Sequence, residues 1–126
     1  MQAILMVAAG GAVGAVLRFL SMQAATASLP GWAFATVVVN VLGSFLIGVL
    51  FAFFVMKGSF NSEWRLFLMV GVLGSYTTFS TFSLETILLI ERGAIAAAMV
   101  NVLLSVVLCL AACFAGLVIG RNVFPA

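Results

Sequence analysis

Histidine is absent from this sequence, and its only acids are Glu63, Glu85 and Glu91. With no imidazole and so few carboxylates, the usual metal-binding and general-base constellations cannot be assembled, so the chain is not expected to be an enzyme. Its two cysteines, Cys109 and Cys113, stand four residues apart in an apolar run. That spacing puts both thiols on one helix face, but nothing else in the chain completes a zinc set. Charged residues make up 6% of the chain, the net charge is +2, and no basic run suggests a nucleic-acid partner. Proline is scarce, at two residues. No polar tail, linker or low-complexity tract is visible, so residues 1–126 are expected to form a single domain.

What remains is apolar. Hydrophobic residues make up 66% of the 126, more than a soluble domain of this size can hide from water. The expectation is an all-α integral membrane protein with almost nothing outside the lipid bilayer. Four stretches are long enough to cross it, at about residues 4–22, 33–56, 64–90 and 94–119. The connections between them carry turn residues: Pro30-Gly31, Gly58 and Gly93. Short connections make neighbouring helices antiparallel, and four spans put both termini on one side. Ala25-Thr26-Ala27 resembles a signal-peptide cleavage site, but no charged leader precedes the first apolar run and Arg18 sits late in it, which argues against cleavage. Gly10 and Gly14 form a GxxxG pair, read as a place for another helix to approach closely.

The second span carries Thr36, Asn40, Ser44 and Gly48 at successive fourth positions. The fourth span carries Asn101, Ser105, Cys109 and Cys113 in the same spacing. Such positions follow one helix face, and the second stripe is about 18 Å long at 1.5 Å per residue. Polar stripes of this kind either glue helices together or line a path. Asn40 accordingly either bonds a neighbouring helix or donates its amide to a dehydrated ion. The thiols make the lower half of the second stripe only weakly polar. Arg18, late in the first span, either snorkels to lipid phosphate or places a fixed positive charge at the mouth of an aqueous vestibule.

The third stretch departs from a plain helix. As one straight helix it would run about 40 Å, against a hydrocarbon core of about 30 Å. Gly71 and Gly74 weaken it, and a run of hydroxyl residues from Ser75 to Ser83 offers local partners to backbone groups. A break near residues 74–78 is expected, with a second helix starting among the Thr and Ser residues. Broken backbone at membrane depth survives only inside protein or beside a water-filled cavity, and in transporters such breaks form ion sites. Phe79 and Phe82, at i and i+3, project from one face of the second half. Their positive ring edges can meet an anion without offering a cation site. Glu85 falls near that face; buried, it would need a proton or a partner, and at the interface it would be solvated. Lys57, Arg65 and Arg121 fall on the side of the termini, against Arg18 and Arg92 on the other, too weak a bias to fix one orientation.

Arg18, the Val39-Asn40 pair and the run Gly74-Ser75-Tyr76-Thr77-Thr78-Phe79-Ser80-Thr81-Phe82-Ser83-Leu84-Glu85 together resemble the Fluc (CrcB-like) family of small fluoride channels, over nearly the whole chain. The resemblance implies an antiparallel, dual-topology homodimer with two fluoride pores in the bacterial cytoplasmic (inner) membrane. Asn40, Phe79 and Phe82 would face the ion, with Ser80 and Thr81 beside the pore and Glu85 an acid close to it. Arg18 would be the vestibule arginine. A structural Na⁺ at the dimer centre would be held by the carbonyls of Gly74 and Thr77. The fourth-span track would map to Asn101, Ser105, Cys109 and Cys113, where hydroxyls are usual at the last two positions. Passive fluoride export, giving fluoride resistance, is therefore the expected function. Two alternatives are a small proton-coupled multidrug exporter and a non-transporting assembly subunit. The first needs a membrane carboxylate where this chain has Arg18; the second gives no reason for the polar stripes.

Overall fold

The computed structural model describes residues 1–28, 32–58 and 62–124. Among these there is no β-strand. Helix α1 runs Gln2–Ser28 and α2 Trp32–Met56; the third span divides into α3 (63–76) and α4 (Phe79–Glu91), and α5 runs Ile95–Val123. Among the described residues, four spans are long and apolar enough to cross a membrane, as the sequence implies.

Helix α1 continues as far as Ser28, where the sequence suggested a loop from Gln23. The hydroxyls of Thr26 and Ser28 bond back to the carbonyls of Met22 and Ala24, at 2.8 and 3.1 Å, which lets polar residues stay helical. The Pro30-Gly31 turn lies outside the described residues. After α4 the chain reverses at Gly93, with φ of 74°. Its amide bonds Ile90 and that of Ala94 bonds Leu89, both at 2.9 Å, closing a Schellman cap on the helix.

Large apolar side chains point outward. Phe114 is 69% exposed and Leu110 68%, a surface suited to lipid or to another membrane-embedded chain. The buried residues of α5 are instead Ala98, Asn101, Ser105, Gly116 and Gly120. Small and polar groups thus face inward, where helices meet without a hydrophobic drive and depend on close fit. α1 packs chiefly on α3, and α2 on α5. A Cβ at Gly14 would collide with the Val72 carbonyl, and one at Gly116 with that of Phe45. Gly116→Ala is expected to force α2 from α5 and to cost about 1–3 kcal/mol. Thermal unfolding in detergent measures it; an unchanged midpoint would mean the helices do not sit this close.

Candidate functional site

The third span loses its regular winding before it breaks. Residues Leu66–Leu73 are wound as π-helix, and the Gly74 amide bonds back to both Met69 and Gly71. One α-turn, Gly74–Tyr76, follows. Thr77 (ψ 157°) and Thr78 (φ −148°, ψ 112°) are then extended, and helix resumes at Phe79. Thr78 caps the new helix: its hydroxyl accepts the Thr81 amide at 3.2 Å and donates to the Thr81 hydroxyl at 2.9 Å. The break falls within the stretch read from the sequence.

Asn40 holds it open. From α2, its Oδ1 accepts the Thr78 N–H at 2.7 Å while Nδ2 donates to the Thr78 carbonyl at 3.0 Å. The side-chain amide thus replaces the helix neighbours that an extended residue gives up. A primary amide has two N–H groups, so one stays available for the cavity that Asn40 lines. Gly43, one turn on, lacks the Cβ that would strike the Thr77 side chain. Half-buried Arg18 donates from Nη1 to the Thr77 carbonyl at 3.4 Å, so from α1 it reaches the break itself. Tyr76 is tied to α1 as well, through its hydroxyl and Ser21 at 3.2 Å.

A cavity of about 450 Å³ opens beside the break. Of the residues singled out in the sequence, Asn40, Ser44, Gly74, Thr77, Phe79, Phe82, Ser105 and Cys109 line it. Among the described residues, none that lines it is charged. Phe79 is 78% exposed, Phe82 half-buried, and their ring centroids are 5.3 Å apart. The buried Ser105 hydroxyl has no hydrogen-bond partner among the described residues. The rest lie apart from this cavity. The Ser80 and Thr81 hydroxyls contact that of Thr78. Asn101 donates to the Thr86 hydroxyl at 3.0 Å, and Thr86 in turn to the Phe82 carbonyl at 2.8 Å. Glu85 is buried against α2, where one oxygen takes the Thr36 hydroxyl and the other has no partner among the described residues. The Cys113 carbonyl abuts Gly48.

The break exposes both polarities. The N-terminus of α4 carries the positive end of its helix dipole, and the carbonyls ending α3 the negative end. The Thr78 amide goes to Asn40 rather than to the Gly74 carbonyl four residues back, and the Thr81 amide to the Thr78 hydroxyl rather than to the Thr77 carbonyl. Both carbonyls have therefore lost their helical partner, which is the donor chemistry a hard cation such as Na⁺ takes.

Three participants escaped the sequence reading: Thr36 as the partner of Glu85, Thr78 as cap and clamp point, and Thr86 as the bridge to Asn101. Thr36 stood on the Asn40 stripe and Thr78 in the hydroxyl run, so both were signalled; nothing marked Thr86.

Residues 5–117 match the family described as CrcB-like protein, Camphor Resistance (CrcB). The chain is 49% identical over 126 residues to the Fluoride-specific ion channel FluC of Caulobacter vibrioides, covering 98% of this chain and 99% of the relative. It is 50% identical to the protein of that name from Phenylobacterium zucineum, with the same coverage. Against the one from Elusimicrobium minutum, identity is 54% over 112 residues, 87% of this chain and 86% of the relative.

Proposed function

Because the chain belongs to the CrcB-like family, we propose that it is a passive fluoride channel of the bacterial inner membrane, with its ion path along the cavity at the break. The observation that carries this reading is a cavity wall, uncharged among the described residues, that combines a free amide N–H on Asn40, the Ser44 side chain and two phenylalanine rings. A small, strongly hydrated anion needs replacements for its water shell, and conduction needs them weak and several. Donors and ring edges meet that demand; a lysine or arginine in the wall would hold the ion. An inside-negative potential of 100 mV then favours anion exit by about 2.3 kcal/mol per charge. A proton-coupled exporter would need a carboxylate on the path, whereas Glu85 lies against Thr36, outside this wall.

The finer reading is an antiparallel pair of chains. Its supports are the near-even charge distribution and the exposure of Phe79 beside a partly open cavity. The Gly74 and Thr77 carbonyls, the latter also accepting from Arg18 Nη1 at 3.4 Å, would hold a Na⁺ in place of the amide partners lost at the break. Labelling in cells is expected to find the C-terminus on both sides of the membrane; a single orientation in the active protein contradicts dual topology.

The function is tested in liposomes containing purified protein and loaded in turn with fluoride, chloride and a drug cation. Rapid efflux of fluoride alone, with no proton gradient imposed, is expected. Drug movement driven by protons, or no transport at all, would select one of the alternatives.

A further inference from the structure

The ion path described above carries one thiol whose chemistry anion conduction does not use, and a second stands one turn further along the same helix. Cys109 and Cys113 are both free and half-buried. Cys109 lines the cavity together with Ser105, one turn before it. Ser105 is 7% exposed, and its buried oxygen has no partner among the described residues. An unsatisfied hydroxyl and a thiol thus share one wall. The close seat of Gly48 against the Cys113 carbonyl fixes this part of α5 on α2, so the thiols stand on a backbone that cannot swing away.

We propose that Cys109, in the wall of the path, and Cys113, one turn behind it, form a binding site for a two-coordinate, thiophilic divalent cation of the Hg²⁺ type. This rests on the cavity being that path. Side chains at i and i+4 have Cβ atoms about 5–6 Å apart. Two metal–thiolate bonds of about 2.3 Å each, laid in line, span about 4.6 Å, within reach of both sulfurs. Binding breaks two S–H bonds and forms two metal–sulfur bonds. Both protons pass to water, and no electrons change hands.

The balance of charge selects the ion. Two thiolates and a divalent cation make a neutral product, which suits an apolar wall. A monovalent ion would leave a net negative charge there. Zinc prefers four ligands, and no cluster of three or more His, Cys, Asp or Glu side chains exists among the described residues. Soft thiolates favour soft metals, so the pair discriminates against zinc. A metal bound at Cys109 occupies the path.

The test adds HgCl₂ to purified protein. Metal stoichiometry is read by native mass spectrometry and free thiols by colorimetric titration; fluoride efflux is read from liposomes, with each variant compared with its own metal-free rate. Wild-type protein is expected to bind one Hg²⁺ per chain, to lose both titratable thiols, and to conduct about tenfold less or worse, with recovery in dithiothreitol. Cys109→Ser and Cys109→Ala should lose that sensitivity, and ZnCl₂ should have no effect. Absence of bound mercury, or inhibition of both Cys109 variants as strong as in wild type, overturns the proposal. Stoichiometry and thiol loss need no transport. Mercury bound to both thiols in a chain that moves no fluoride would therefore support the site while refuting the channel function.

Discussion

Phe82→Ile is expected to lower fluoride flux about a hundredfold, or about 2.7 kcal/mol at 1.36 kcal/mol per factor of ten, in protein that still folds. Isoleucine keeps apolar bulk but removes the ring, whose edge is the positive part of its quadrupole. Phe82 is well placed to expose that edge: it lines the cavity, sits against Phe79 at 5.3 Å, and its half-helix is held by the Asn101–Thr86–Phe82 chain of hydrogen bonds. Only residues of similar size are exchanged, so circular dichroism and size-exclusion profiles should match wild type. Phe79→Ile should act in the same direction. Normal flux through both variants would make the rings packing residues and place the path elsewhere.

Asn40 should be as sensitive, for a different reason. Asn40→Leu removes both bonds to Thr78 and strands a buried N–H and C=O, each costing about 1–3 kcal/mol. Flux and thermal stability should fall together. Asn40→Asp separates the two roles: its carboxylate still accepts the Thr78 amide, but donates to neither the Thr78 carbonyl nor an anion, and it adds a repelling charge to the wall. Stability should then recover part of the way while flux stays lost. An Asn40→Asp channel as active as wild type would show that the amide N–H is no ligand for the ion.

The sequence made the membrane spans plain because lipid leaves the chain few choices: each span must bond its own backbone and face outward with apolar groups. The break was legible for the same reason. Gly71, Gly74 and the hydroxyl run violate that demand, and a violation needs a local remedy. The π-winding over Leu66–Leu73 was not legible, since nothing in Leu-Phe-Leu-Met-Val-Gly-Val-Leu distinguishes one helical winding from another.

At the site, spacing found the faces but not the partners. Ser80 and Thr81 were read as polar groups beside the pore, and their hydroxyls meet that of Thr78 at the head of α4. A cap competes for every hydroxyl within reach, and the sequence does not rank them. Asn101 follows the same stripe as Ser105, yet it bonds Thr86 while Ser105 lines the cavity, because the stripe drifts around the helix as it climbs. Glu85 and Thr36 are 49 positions apart. Their pairing depends on the rotation of α2 against α4, which only packing decides.

The central claim is passive, selective fluoride conduction, and the reversal potential of the current through protein in a planar bilayer tests it most directly. With a fluoride gradient imposed in excess chloride, the potential should sit at the fluoride equilibrium value. It should stay there when a proton or sodium gradient is added. A reversal that follows chloride, or one that shifts with either cation gradient, would contradict the account.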